Sequence, residues 1–142
     1  MDSRQRPLLF SLFGAYFVIA GFGSLVASVA TWHFGGSIPL LGLAYSGMNF
    51  ALSRGFFLKE GWLLYALALN CGAYTLLYAA AWAQGGDANL VRFAISTALA
   101  AGAAGAAWRW RRALSPASFP YAAYAFLALW IFAFIETART ML

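Results

Sequence analysis

One histidine, His33, and one cysteine, Cys71, are all that a chain of 142 residues offers toward metal, haem or thiol chemistry. A structural zinc site needs about four ligands, and an iron–sulfur cluster needs several thiolates. Neither can be assembled here, and a bis-histidine haem within one chain is impossible. Cys71 has no second cysteine to pair with. His33 and Asp87 do not make a recognisable Ser-His-Asp set, and the chain has no G-x-x-x-x-G-K phosphate loop and no G-x-S-x-G turn. The expectation is a protein without metal, cofactor or catalytic constellation.

Other residues could bind or position something. Tyr45 stands one turn before Asn49 and Tyr74 one turn after Asn70, so each amide shares a helix face with a phenol. An amide facing lipid would lack partners, so both should point into a bundle or toward another subunit, with bonding between helices the simpler account. Measured from the loop between them, Asn49 lies about 6 Å deep and Asn70 about 14 Å deep by helical rise, too far apart to be each other's main partner. His33, Asp87, Arg92 and Glu136 fall at one interface, where Arg92 could pair with Glu136 or Asp87; separate solvation is the simpler account. The run Trp108-Arg109-Trp110-Arg111-Arg112 sets two indoles beside three guanidinium groups, which suits anionic lipid headgroups as well as ordinary anchoring.

Composition dictates the elements that must hold these groups. The chain is 63% hydrophobic and 9% charged, whereas a soluble domain is about 25% charged. Too few charges remain to coat a water-facing surface, which excludes a soluble enzyme, a disordered regulator and a disulfide scaffold. The apolar stretches are continuous rather than alternating, so a transmembrane barrel is excluded as well. An all-α integral membrane protein is expected, a compact bundle of five transmembrane helices forming a single domain over residues 1–142. Crossing the bilayer takes about 20 apolar residues. The candidate spans are Leu8 to Trp32, Ile38 to Phe57, Gly61 to Trp82, Leu90 to Trp108 and about Phe119 to Ile135. The second is short, uninterrupted only from Ile38 to Ser53, and full length needs Arg54 to snorkel. Four spans plus a re-entrant segment is the alternative.

Charge favours five. With the N-terminus cytoplasmic, Arg4, Arg6, Arg54, Lys59, Arg109, Arg111 and Arg112 lie inside, and only Arg92 and Arg139 outside. That distribution also accounts for most of the net charge of +5, so nucleic acid is not expected as a partner. Trp32, Trp62, Trp82, Trp108 and Trp110 fall at span ends as an interfacial belt, and Trp130 sits deeper. Ser37 before Pro39 and Ser118 before Pro120 read as helix starts, and Gly35-Gly36 and Gly85-Gly86 as turns. The first apolar run exceeds the length of a signal-peptide core and reads as a signal anchor. Glu136, the only acid expected within a span, lies about 24 Å along its helix from Tyr121, near the interface. A proton-coupled transporter is therefore disfavoured.

Small residues recur at packing intervals: Gly14, Gly21 and Ser28; Gly42 and Ser46; Ala68 and Gly72; Ala98, Gly102 and Ala106. The fourth span, built largely of alanine and glycine, is expected to sit centrally, where a smooth helix admits close neighbours. Tyr65, Tyr74 and Tyr78 are expected to form one aromatic surface on the third.

The stretch from Gly42 through Arg54-Gly55 to Trp62 resembles the short second helix, arginine-glycine turn and interfacial tryptophan of many small bacterial inner-membrane proteins, and implies nothing about activity. The leading expectation is a non-catalytic accessory or assembly subunit, or a homo-oligomer, in the bacterial cytoplasmic membrane, with lipids and other membrane subunits as partners. A passive or facilitated conduit for a small or lipidic solute is the alternative. A lipid- or quinone-handling enzyme is third.

Overall fold

The computed structural model describes residues 8–35, 38–84, 90–116 and 119–141, with the side chains of residues 90, 92, 93 and 141 outside that description. Five α-helices follow one another: α1 (Leu8–Gly35), α2 (Leu40–Leu58), α3 (Leu63–Ala83), α4 (Leu90–Arg109) and α5 (Tyr121–Met141), with a 3-10 turn at Arg111–Ala113. Among the described residues there is no strand. α1, α3 and α5 are long and apolar enough to cross a membrane. The protein is thus all-helical, with the character of a helical membrane protein. α5 runs beyond the expected Ile135 and takes Glu136, Thr137 and Arg139 into its last turns. Ser37, Gly36, Gly85, Gly86 and Ser118 lie outside the described residues; α2 starts just after Pro39, whose carbonyl accepts from the Leu43 amide.

α2, the weakest of the expected spans, is the hub. It packs along α1 on one side and α5 on the other, while α3 bridges α4 and α5. Its lower hydropathy follows from that place, because a helix covered by neighbours needs no lipid-facing apolar coat. The α1 face that meets it carries Phe10, Gly14, Phe17, Gly21 and Ser28, all buried. Spacings of three, four and seven keep them on one stripe. Ser46 donates its hydroxyl to the Gly21 carbonyl at 2.8 Å and Ser53 to the Gly14 carbonyl at 3.0 Å. Position numbers in both pairs sum to 67, the mark of one antiparallel register. Glycine permits this approach: a Cβ on Gly14 would meet the Phe57 ring at 3.0 Å, and one on Gly21 the Phe50 ring at 2.9 Å. Toward the end of α2, Phe56 is fully buried among Phe10, Phe13 and Phe17, with ring centroids 5.5–5.7 Å apart.

α4 is peripheral, not central. Ala103, Ala106 and Ala107 in its second half are buried, whereas Val91, Ile95 and Leu99 are exposed. A Cβ on Gly102 would touch only Phe13, at 3.6 Å, and one on Gly105 or Gly72 nothing within 4 Å. A smooth helix suits close packing, but it also suits lipid, and hydrophobic periodicity cannot separate the two. The tryptophans divide similarly. Trp32, Trp82 and Trp108 are exposed at helix ends as a belt requires, while Trp62 is 2% exposed and turned inward. Tyr65 is exposed and Tyr74 faces α2 and α5, so the tyrosines of α3 do not form one surface.

Candidate functional site

Two polar constructions lie inside the bundle. The first joins α2, α3 and α5. The Tyr45 hydroxyl lies 3.0 Å from that of Tyr74 and 2.9 Å from Oγ1 of Thr137, and Thr137 lies 2.7 Å from the Ala133 carbonyl. Proton counting orients the chain. A carbonyl only accepts, so Thr137 uses its single hydrogen on Ala133 and must accept from Tyr45; Tyr45 then accepts from Tyr74. The order is Tyr74 to Tyr45 to Thr137 to the Ala133 carbonyl. One turn away, the Trp130 indole N–H donates to Oδ1 of Asn70 at 3.1 Å, which fixes the orientation of that amide. Trp130 stacks on Phe134 at 5.0 Å, and Tyr74 meets the Phe134 ring edge-on at 5.6 Å.

Asn49 is half-buried and, among the described residues, has no hydrogen-bond partner. Its depth differs from the expectation. α2 continues nine residues past Asn49, and α3 begins seven residues before Asn70. Both amides therefore lie about 11–13 Å from the loop end of their helices, each one turn from a phenol that touches the other phenol. The expected offset came from placing the α2–α3 turn too early.

The second construction closes that turn and was missed in the sequence. Glu60 is 8% exposed. Nη1 of Arg54 donates to both its carboxylate oxygens at 2.8 and 3.1 Å, and the Trp62 indole donates to Oε2 at 2.7 Å. Backbone geometry delivers the acid there. Lys59 takes the left-handed conformation at φ 55°, ψ 46°. Its amide then reaches the Phe56 carbonyl, and the Glu60 amide the Gly55 carbonyl, the paired bonds of a Schellman cap. Glycine is the usual residue at that position, and its absence hid the motif. The Ser115 amide donates to the Lys59 carbonyl at 2.8 Å, tying the segment ahead of α5 to the same end.

The expected interfacial cluster is not assembled in the described residues. His33 is exposed at the end of α1, beside Phe34. Asp87 and the Arg92 side chain lie outside the described residues. Glu136 accepts from Arg139 one turn on, at 3.1 Å. In the basic run, Arg111 lies 4.5 Å over the exposed Trp108 ring and donates to its carbonyl. Arg109 and Arg112 are exposed. Trp110 is half-buried against the core, with its indole nitrogen buried and unpaired. Among the described residues no three His, Cys, Asp or Glu side chains gather into a possible metal site.

A cavity of about 300 Å³ opens between α3 and α5, lined by Trp62, Tyr65, Phe119, Tyr124 and Phe126 among others. A smaller one, about 170 Å³, lies between the end of α1 and the start of α2. Neither is lined by Asn49, Asn70, Tyr45 or Tyr74. Comparison with protein-family models, with curated proteins and with solved structures found no match for this chain.

Proposed function

We propose that the chain is a five-span protein of the bacterial cytoplasmic membrane, N-terminus inside, and that it serves in a membrane complex as a non-catalytic accessory or assembly subunit or as a homo-oligomer. One observation carries the reading: apart from Asn49 and the Trp110 indole, the interior polar side chains named above are bonded to one another or to helix carbonyls. Tyr74, Tyr45 and Thr137 close on the Ala133 carbonyl, Trp130 on Asn70, and Ser46 and Ser53 on glycine carbonyls of α1. Groups bonded in this way fix helices against each other and offer little to a passing solute. In the first half of α4 the exposed Val91, Ile95 and Leu99 leave surface for a neighbour in the membrane.

Native mass spectrometry after gentle extraction tests this. The reading expects the chain to fly with further copies of itself or with another membrane protein. A chain that is monomeric in every gentle detergent contradicts it. The conduit reading has one observation in its favour, the Asn49 amide without a partner, since an unsatisfied amide at membrane depth is costly unless something else visits it.

A further inference from the structure

The geometry points to a binding site for one anionic phospholipid, with an acyl chain in the α3–α5 groove and the phosphate on Arg54 and Lys59 at its mouth. The inference rests on the membrane reading and is independent of the accessory role.

The groove suits a single chain rather than a helix. Its floor is Trp62, Ala66, Ala123 and Phe126, all buried, and its walls are the exposed Tyr65 and Tyr124. Along α3 it runs from Trp62 to Leu69, about 10 Å at helical rise. A transmembrane partner would need a face closer to the full hydrocarbon thickness of about 30 Å. The groove also begins at the end of the bundle where a headgroup belongs, since Trp62 immediately precedes α3 and Phe119 lies just ahead of α5.

Charge at that mouth completes the site. Trp62, the floor, donates to Glu60, and Glu60 is held by Nη1 of Arg54. The arginine is thereby fixed two hydrogen bonds from the groove while its side chain stays 47% exposed. Its Nε and Nη2 hydrogens have no partner among the described residues and remain available to an oxyanion. Lys59, beside Glu60, is tied through its carbonyl to Ser115, on the segment that leads to Phe119. The acid that could repel a phosphate already receives three hydrogen bonds. Arg111 is engaged on Trp108 instead. Basic groups between helices next to an apolar slot are the arrangement that retains anionic lipids.

Titrating the detergent-solubilised chain with phosphatidylglycerol or phosphatidylcholine and reading bound lipid by native mass spectrometry tests the site. One phosphatidylglycerol per chain should be retained, at least about fivefold more tightly than phosphatidylcholine. Lys59→Asn keeps a residue that tolerates the left-handed backbone and should remove that preference. Ala123→Leu, which fills the floor, should weaken both lipids about tenfold; Tyr65→Ala, at an exposed wall, should weaken both if the floor variant fails to fold. Equal retention of the two lipids overturns the proposal. So does a preference that survives Lys59→Asn and both groove variants but disappears when Arg111 and Arg112 become Gln, which would put the site on the basic run.

Discussion

Ser46 and Gly21 bind α2 to α1 through a side-chain hydroxyl and a backbone carbonyl 2.8 Å apart, and Ser53 repeats the contact at Gly14, seven residues along each helix. Small residues let two helix backbones approach closely enough for such a bond, so glycine and serine act as one unit. Gly21→Val should therefore push the Phe50 ring away and break the Ser46 bond, lowering the melting temperature in detergent by several degrees. Gly102→Val, whose added Cβ meets Phe13 at an ordinary 3.6 Å, should leave it nearly unchanged. Equal losses at the two positions would contradict the register.

The Glu60 clamp makes a different prediction. Removing one member of a buried pair costs about 3–5 kcal/mol, but Arg54 reaches water, so roughly 2–3 kcal/mol is expected for Glu60→Ala. Equilibrium unfolding in mixed micelles measures it. Arg54→Ala should cost more than Glu60→Ala, because it leaves a buried carboxylate with only the Trp62 donor, whereas Glu60→Ala leaves an arginine that reaches water.

Oriented hydroxyls imply an order of effects. Tyr45→Phe removes the bonds to both Tyr74 and Thr137, whereas Tyr74→Phe removes one. At about 0.6 kcal/mol per interhelical bond, the losses should be roughly 1.2 and 0.6 kcal/mol. Larger damage from Tyr74→Phe would contradict the central place of Tyr45 in the chain.

Five helices and most of their bounds could be read from apolar length, and the α1 stripe of Gly14, Gly21 and Ser28 from its seven-residue interval. The hub role of α2 could not, because a run cut short by Arg54 reads as a weak span, and apolar length does not say which neighbours cover a helix. Glu60 escaped for a local reason: flanked by Lys59 and Gly61, it has the appearance of a solvated loop charge. Only the backbone turn at Lys59, unsignalled by glycine, carries it inward. Position along the chain puts Trp62 at the interface but says nothing about the direction of its ring. For α4, composition fits both packing and lipid contact, and the neighbours decided.

The proposed topology rests on the seven-to-two division of basic residues. A reporter fused after Leu142 should report the periplasm, and one fused after Ser115 the cytoplasm. Both on one side would mean that α5 does not cross.

Flux through the purified chain tests the central claim that its interior polar groups serve structure. Reconstituted alone in proteoliposomes, the protein should pass neither protons nor small polar solutes above the empty-vesicle rate, and Glu136→Gln and Asn49→Leu should change nothing. Glu136 is held by Arg139 near the helix end, away from any route through the middle. Flux in the wild-type protein that either substitution abolishes would contradict the accessory reading and establish a conduit in its place.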